Sequence, residues 1–318
     1  MRFMPNFKGF DFFPHGTHID FMRFRDICFW GSIVAIVAAL GLFFFKGLNY
    51  GVDFKGGTMI EVQTASGGPA DIQAMRTRLS GLGLGDIQIQ EFGATNDVLI
   101  RMEQQPGDET AQQVAMKKVL DTLGGEYVQR RVEVVGPAVS AELRRTGVIA
   151  VLAAILAIIC YVWFRFEWQF AVGTIVSLVH DVMVVVGIFS LFDLEFDLGI
   201  VAALLTILGY SVNDTVVVSD RIRENLRKYK RMELRELLNL SINETLSRTI
   251  LTGVTTIVVL LALFVFGGSV IRYFALAMLL GVLIGTYSSI FIAAPIREVL
   301  GVKRETVTGG SERAAARS

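Results

Sequence analysis

Cysteine, histidine and proline are scarce in this chain of 318 residues, which holds two, three and six of them respectively. Cys28 and Cys160 each sit inside an apolar run, so neither a disulfide framework nor a CxxC metal pair can be drawn, and the redox compartment is left open. No HExxH, GxSxG or GxxxxGK pattern occurs. An ordinary enzyme is therefore not expected, nor is a metal or a cofactor. Charge is thin as well: 19% of residues are charged, where a soluble domain carries about 25%. The 30 Lys and Arg balance 30 Asp and Glu, and this lack of a basic excess argues against a nucleic-acid partner. What fills the sequence instead is apolar. The chain is 53% hydrophobic with a mean hydropathy of +0.53, which points to the bilayer as its solvent.

Crossing the hydrocarbon takes about 20 mostly apolar residues in a helix, which satisfies its own backbone there. Six runs qualify, at 27–45, 146–164, 168–192, 198–219, 249–271 and 273–296. The segment 1–26 is mixed in charge and aromatic, and the run after it is too long for a signal peptide, so a retained helix is expected. Lys and Arg crowd the N-terminal arm, the 220–247 loop and the 298–318 tail, which places all three in the cytoplasm. The loop 193–197 has three acids and no base and belongs outside. Arg144 and Arg145 break the pattern, but they close a long segment that escapes the rule. After the basic loop begins, 219–225 reads as an amphipathic stretch along the anionic inner leaflet.

Between 46 and 145 the chain turns polar and its periodicity changes, marking a soluble unit. Strands are expected at 59–64, 86–92, 97–102 and 127–135, with helices at 70–82 and 109–123 and a turn at 93–96. This β-α-β-β-α-β order is that of a ferredoxin-like domain. The expected fold class is thus a polytopic α-helical membrane protein, with six spanning helices and one outer α+β domain between the first and second. The expected division is a cytoplasmic arm at 1–26, a spanning helix at 27–45, the outer domain at 46–145, a five-helix bundle at 146–297 and a disordered tail at 298–318.

Ionisable residues inside spanning helices are costly to bury and mark functional sites by default. Asp181 and Asp214 are the clear cases. Thr206, Tyr210 and Asp214 recur along one helix, Arg248, Thr252, Thr255 and Thr256 along the next, and Thr174, Ser177 and Asp181 along a third. Three polar seams could then line one hydrated path, with Asp214 and Arg248 as a proton-exchanging pair. The competing reading is static glue, with hydroxyls packing the helices and Asp214 and Arg248 in a fixed ion pair. His180 and Asp181 are adjacent in sequence, and no third ligand makes a metal site of them. Gly281 and Gly285 form a close-packing GxxxG pair. In GVDFKGGT at 51–58, Gly56 and Gly57 permit positive φ and Asp53 can form an Asx turn. In VGPAVSAEL at 135–143, Gly136 and Pro137 make a turn, with Ser140 as the cap of the following helix.

Taken together, GVDFKGGT, VGPAVSAEL, FRFEW at 164–168, His180 with Asp181, and above all GYSVNDTVVVSDRIREN at 209–225 resemble the SecF half of the SecD/SecF family of protein-export membrane subunits, relatives of the RND exporters. The resemblance covers nearly the whole chain and implies an inner-membrane location. It implies SecD as the partner completing a twelve-helix unit, with the SecYEG translocon, YajC and an unfolded preprotein on the periplasmic side as further partners. It further implies that protons passing inward cycle Asp214 and alter its partnership with Arg248, with Asp181 as an additional relay. An RND-type exporter of lipids or small molecules, and a scaffold that transduces nothing, stay open as alternatives.

Overall fold

A computed structural model of the protein describes residues 18–85, 87–107 and 109–302. Most of the basic N-terminal arm and the tail from 303 onward, with the disorder expected there, lie outside the described residues. So does residue 86, the expected first residue of the second strand.

The first spanning helix, α1 (Arg25–Phe45), is followed by Gly47, whose φ of +78° turns the chain into β1 (Asn49–Tyr50) and the one-turn helix α2 (Val52–Lys55). The outer domain follows as β2 (Gly57–Thr64), α3 (Ile72–Ser80), β3 (Ile87–Phe92), β4 (Ala94–Met102), α4 (Glu109–Leu123) and β5 (Tyr127–Val135). Its antiparallel sheet has the order β3-β4-β2-β5, the split β-α-β arrangement expected from the sequence. Asp71 caps α3 through the Ala74 N–H at 2.9 Å, and Met75, Leu79, Val119 and Leu123 cover Ile60, Val62, Val98 and Ile100 of the sheet. The β3–β4 turn is tighter than expected. Gly93 alone makes it, at φ +86°, which leaves 94–96 free to extend β4.

The chain then enters the bundle through α5 (Pro137–Arg165), α6 (Trp168–Leu191), the short strand β6 (Glu195–Phe196), α7 (Leu198–Lys228), α8 (Leu234–Phe266) and α9 (Gly268–Ser288). A π-helical turn at Ser289–Ala293 leads into α10 (Ala294–Val299). Among the described residues six helices are long and apolar enough to cross a membrane, the last of them running through α9, the π turn and α10.

Three boundaries differ from expectation. α5 starts at Pro137 rather than 146, because proline is preorganised for the first helical position and Gly136 supplies the extended cap. Ser140 lies inside that first turn, donating to the Pro137 carbonyl at 3.1 Å, and is no cap. The stretch 219–225, expected to turn along the inner leaflet, instead continues α7. No breaker interrupts α7 before Lys228, and α8 resumes at Leu234, so the two helices project beyond the apolar zone. Arg221 pairs with Glu224 of its own helix and with Glu244 of α8, and Arg223 pairs with Glu167 at the corner between α5 and α6.

The bundle closes on small residues. Gly187 of α6 lies directly against Ala39 of α1, and Gly281 of α9 against the side chain of Ile207 of α7. Gly285 follows one turn on, where an added Cβ would stand 3.2 Å from the Ser211 Cβ. The GxxxG pair thus draws α9 onto the face of α7 that carries Asp214.

Candidate functional site

Asp214 is 9% exposed and Asp181 is fully buried. They are held from the same short stretch of chain. Ser289, the first residue of the π turn, donates to Asp214 Oδ2 at 2.6 Å, and Ser288, the last residue of α9, donates to Asp181 Oδ2 at 2.8 Å. Adjacent α-helical residues point about 100° apart, so this junction lets two neighbours serve two carboxylates on different helices. Thr249 of α8 completes the Asp214 site, donating to Oδ1 at 2.6 Å. Asp181 also accepts from Ser211 of α7 at 2.5 Å, while Ser177 donates to Ser288 at 2.8 Å.

Every hydrogen-bond partner of Asp214 among the described residues is a hydroxyl, while Arg248 acts on it only through its charge. A hydroxyl donates to a carboxylate and, turned round, accepts from a carboxylic acid. Ser289 has a second acceptor ready in the Thr286 carbonyl at 3.0 Å. The pocket therefore satisfies Asp214 with or without a proton.

His180 lies beside Asp181, Nδ1 to Oδ1 at 3.0 Å, although their places on a helix suggested divergent directions. Its ring tilts against Tyr287, whose hydroxyl lies 3.0 Å from Ser32 Oγ of α1. Among the described residues no group of three His, Cys, Asp or Glu could hold a metal ion.

Arg248 is not where the sequence suggested. It is exposed on the outer side of α8 and makes no ion pair with Asp214 among the described residues, while its neighbour Thr249 takes the inward register. Thr252, Thr255 and Thr256 donate back to their own helix, as does Thr206 on α7. Of the three expected seams, that of α8 therefore runs along the outer face, that of α7 passes from exposed Thr206 through half-buried Tyr210 to buried Asp214, and the α6 seam of Thr174, Ser177 and Asp181 is interior.

Arg297 is a residue that the sequence marked only as a helix flank. It is fully buried, donates from Nη2 to Ser219 at 2.6 Å, stacks over Phe170, and has no partner for Nε or Nη1 among the described residues.

The motif residues of the outer domain meet the bundle. Gly56 and Gly57 take φ of +76° and +119°, and a side chain at Gly57 would run into the Met102 carbonyl. Asp53 does not close an Asx turn. Its Oδ2 accepts the Leu198 N–H at 3.1 Å, capping α7 from 145 positions away. Gly136 and Pro137 form the strand-to-helix corner between β5 and α5.

Carboxylates buried between spanning helices, in a bundle that carries a separate α+β domain, define a polytopic membrane protein with a polar site in its interior. Comparison with known proteins agrees and is more specific. The family model for the C-terminal part of the protein export membrane proteins SecD/SecF matches residues 115–303, and that for the SecD/SecF GG motif matches 41–67. The chain is 48% identical over 300 residues to protein translocase subunit SecF of Cereibacter sphaeroides, covering 92% of each chain. It is 45% identical to the subunit of the same name from Escherichia coli O157:H7, covering 92% of this chain and 91% of that one. The crystal structure of SecDF from Thermus thermophilus superimposes with a TM-score of 0.80 at 37% identity, over 90% of this chain and 39% of that one. The chain belongs to the SecD/SecF family of protein export membrane proteins, as a multi-pass protein of the bacterial inner membrane. It spans about two-fifths of the length of the SecDF chains it matches.

Proposed function

We propose that the chain uses the proton motive force to promote late steps of polypeptide export through the Sec translocon, with Asp214 as the proton-carrying group. The observation that carries this reading is the all-hydroxyl pocket of Asp214, which satisfies both protonation states. Asp181 is joined to it through the Ser288–Ser289 junction and acts as a second relay. One charge crossing 100 mV is worth about 2.3 kcal/mol, enough to bias a two-state packing of helices. No catalytic chemistry is assigned to the chain.

The partner proposed for the bundle is SecD. Thr206 and Asn213 of α7 and Arg248, Thr252 and Thr255 of α8 are exposed at membrane depth, where lipid tails offer them nothing. Matched SecDF chains that are more than twice as long support a second bundle covering this stripe, which would bring Arg248 into the shared interior. The outer domain then faces the periplasm with both termini in the cytoplasm. The translocon SecYEG and the emerging preprotein are proposed as the wider partners, with YajC as an accessory.

The test is gradient dissipation by SecD-containing vesicles, with and without Asp214→Asn. Dissipation that the substitution leaves unchanged would favour a scaffold.

A further inference from the structure

The helix that carries Asp214 is tied at its outer end to the outer domain. Asp53 caps α7 through the Leu198 N–H. Arg101 of β4 forms an ion pair with Glu195, three residues before α7, with both side chains almost buried. β1 pairs in parallel with β6, Asn49 opposite Glu195 and Tyr50 opposite Phe196, and the Gly51 N–H donates to the Phe196 carbonyl at 2.9 Å. Phe54 fills the space between, against Phe196, Val201 and Gly147. The approach at Gly51 is close: a Cβ there would stand 2.9 Å from Glu195 Oε1 and 3.3 Å from the Asp197 Cβ.

These ties end on the middle of the sheet. Arg101 belongs to β4, and Asp53 lies in α2, which is joined to β2 by Gly56 alone, held at positive φ. β2 and β4 are the two central strands. At the other end, Leu198 and Asp214 are sixteen positions apart on a helix without proline, about 24 Å of continuous rod.

We propose that Asp53 and the Arg101–Glu195 pair are the transmission link of the protein, delivering a displacement of α7 at Asp214 to the central strands of the outer domain. The inference rests on the proton-driven reading above. It makes Asp53, Arg101 and Glu195 positioning residues, which handle no proton of the relay and act through α7.

The experiment uses the full chain with SecD in inverted vesicles and two readouts: dissipation of an imposed proton gradient, and gradient-driven completion of translocation after the ATP-driven motor is stopped. Wild type is read first, and failure to complete with the gradient overturns the proton reading and this inference with it. The double substitution Asp53→Ala with Arg101→Gln is expected to keep dissipation while completion falls at least about tenfold, equivalent to about 1.4 kcal/mol of lost coupling. Asp53→Asn, which retains an acceptor for the Leu198 N–H, is expected to complete like wild type. Completion at the wild-type rate in the double variant would overturn the link, as would a parallel loss of dissipation. Should the double variant fail to reach the membrane, the exchange of Arg101→Glu with Glu195→Arg decides. Arg101→Glu alone dissipating without completing, with completion restored by the reversed pair, supports transmission, and completion at the wild-type rate by Arg101→Glu alone overturns it.

Discussion

Ser288 and Ser289 are neighbours in the chain yet donate to different carboxylates, Asp181 on α6 and Asp214 on α7. The π turn that begins at Ser289 makes this possible, so any shift of that turn moves the hydrogen bonds of both acids together. Ser289→Ala should therefore slow gradient-driven translocation about tenfold or more, since hydrogen bonds to charged groups contribute about 1.5–3 kcal/mol. Co-purification with SecD should be unchanged. Translocation at the wild-type rate would remove Ser289 from the working site.

Gly281 lies against Ile207 with no room for a methyl group. Gly281→Ala should lower stability by about 1–3 kcal/mol through overpacking, read as a lower midpoint of thermal unfolding in detergent. Adding Ile207→Ala should recover part of that loss, and no recovery would mean that α9 relaxes elsewhere.

Orientation has its own test. Cysteine at Gly107, exposed on the outer domain, should label with an impermeant reagent from outside intact cells, while cysteine at Arg231, exposed between α7 and α8, should label only in inverted vesicles. The opposite pattern would invert the topology.

The outer junction should respond to pH. Burial pushes the Glu195 carboxyl above its usual range against the pull of Arg101, with Asp197, Asp53 and Glu133 adding to the rise. Burial likewise raises Asp197, opposed by the N–H groups of Ile200 and Gly199. Groups whose folded pKa lies above the unfolded value bind more protons when folded, so their contribution is fully present in acid and is lost as pH rises through the folded pKa. Mild acidification from neutrality should raise the unfolding midpoint of wild type more than that of Glu195→Gln. Equal responses would exclude Glu195 as a source of the effect.

Much of this was legible in the sequence because the signals were long or discordant. Six apolar runs and a period change gave the spans and the outer domain, and Asp181 and Asp214 stood out as charges where charge is costly. What stayed hidden depended on register and distance. Counting hydroxyls along α8 selected Arg248 and its exposed stripe, whereas the inward face runs through Ile242, Thr245, Thr249 and Gly253, a mostly small and apolar series with little polar contrast. Ser289 looked like packing because nothing local announces a π turn. Asp53 looked like a turn residue because its partner lies 145 positions away. The unbroken path of α7 and α8 past the apolar zone was missed because charge density marks where the lipid ends, not where a helix does.

The most direct test is Asp214→Asn, which keeps the size of the side chain and its place beside Thr249 and Ser289 but cannot ionise. Preprotein translocation is allowed to stall part-way into inverted vesicles by stopping the ATP-driven motor, and completion is followed with and without a proton gradient. The account predicts normal insertion and SecD pairing, with gradient-dependent completion abolished. Completion at the wild-type rate would contradict it and leave the chain a scaffold.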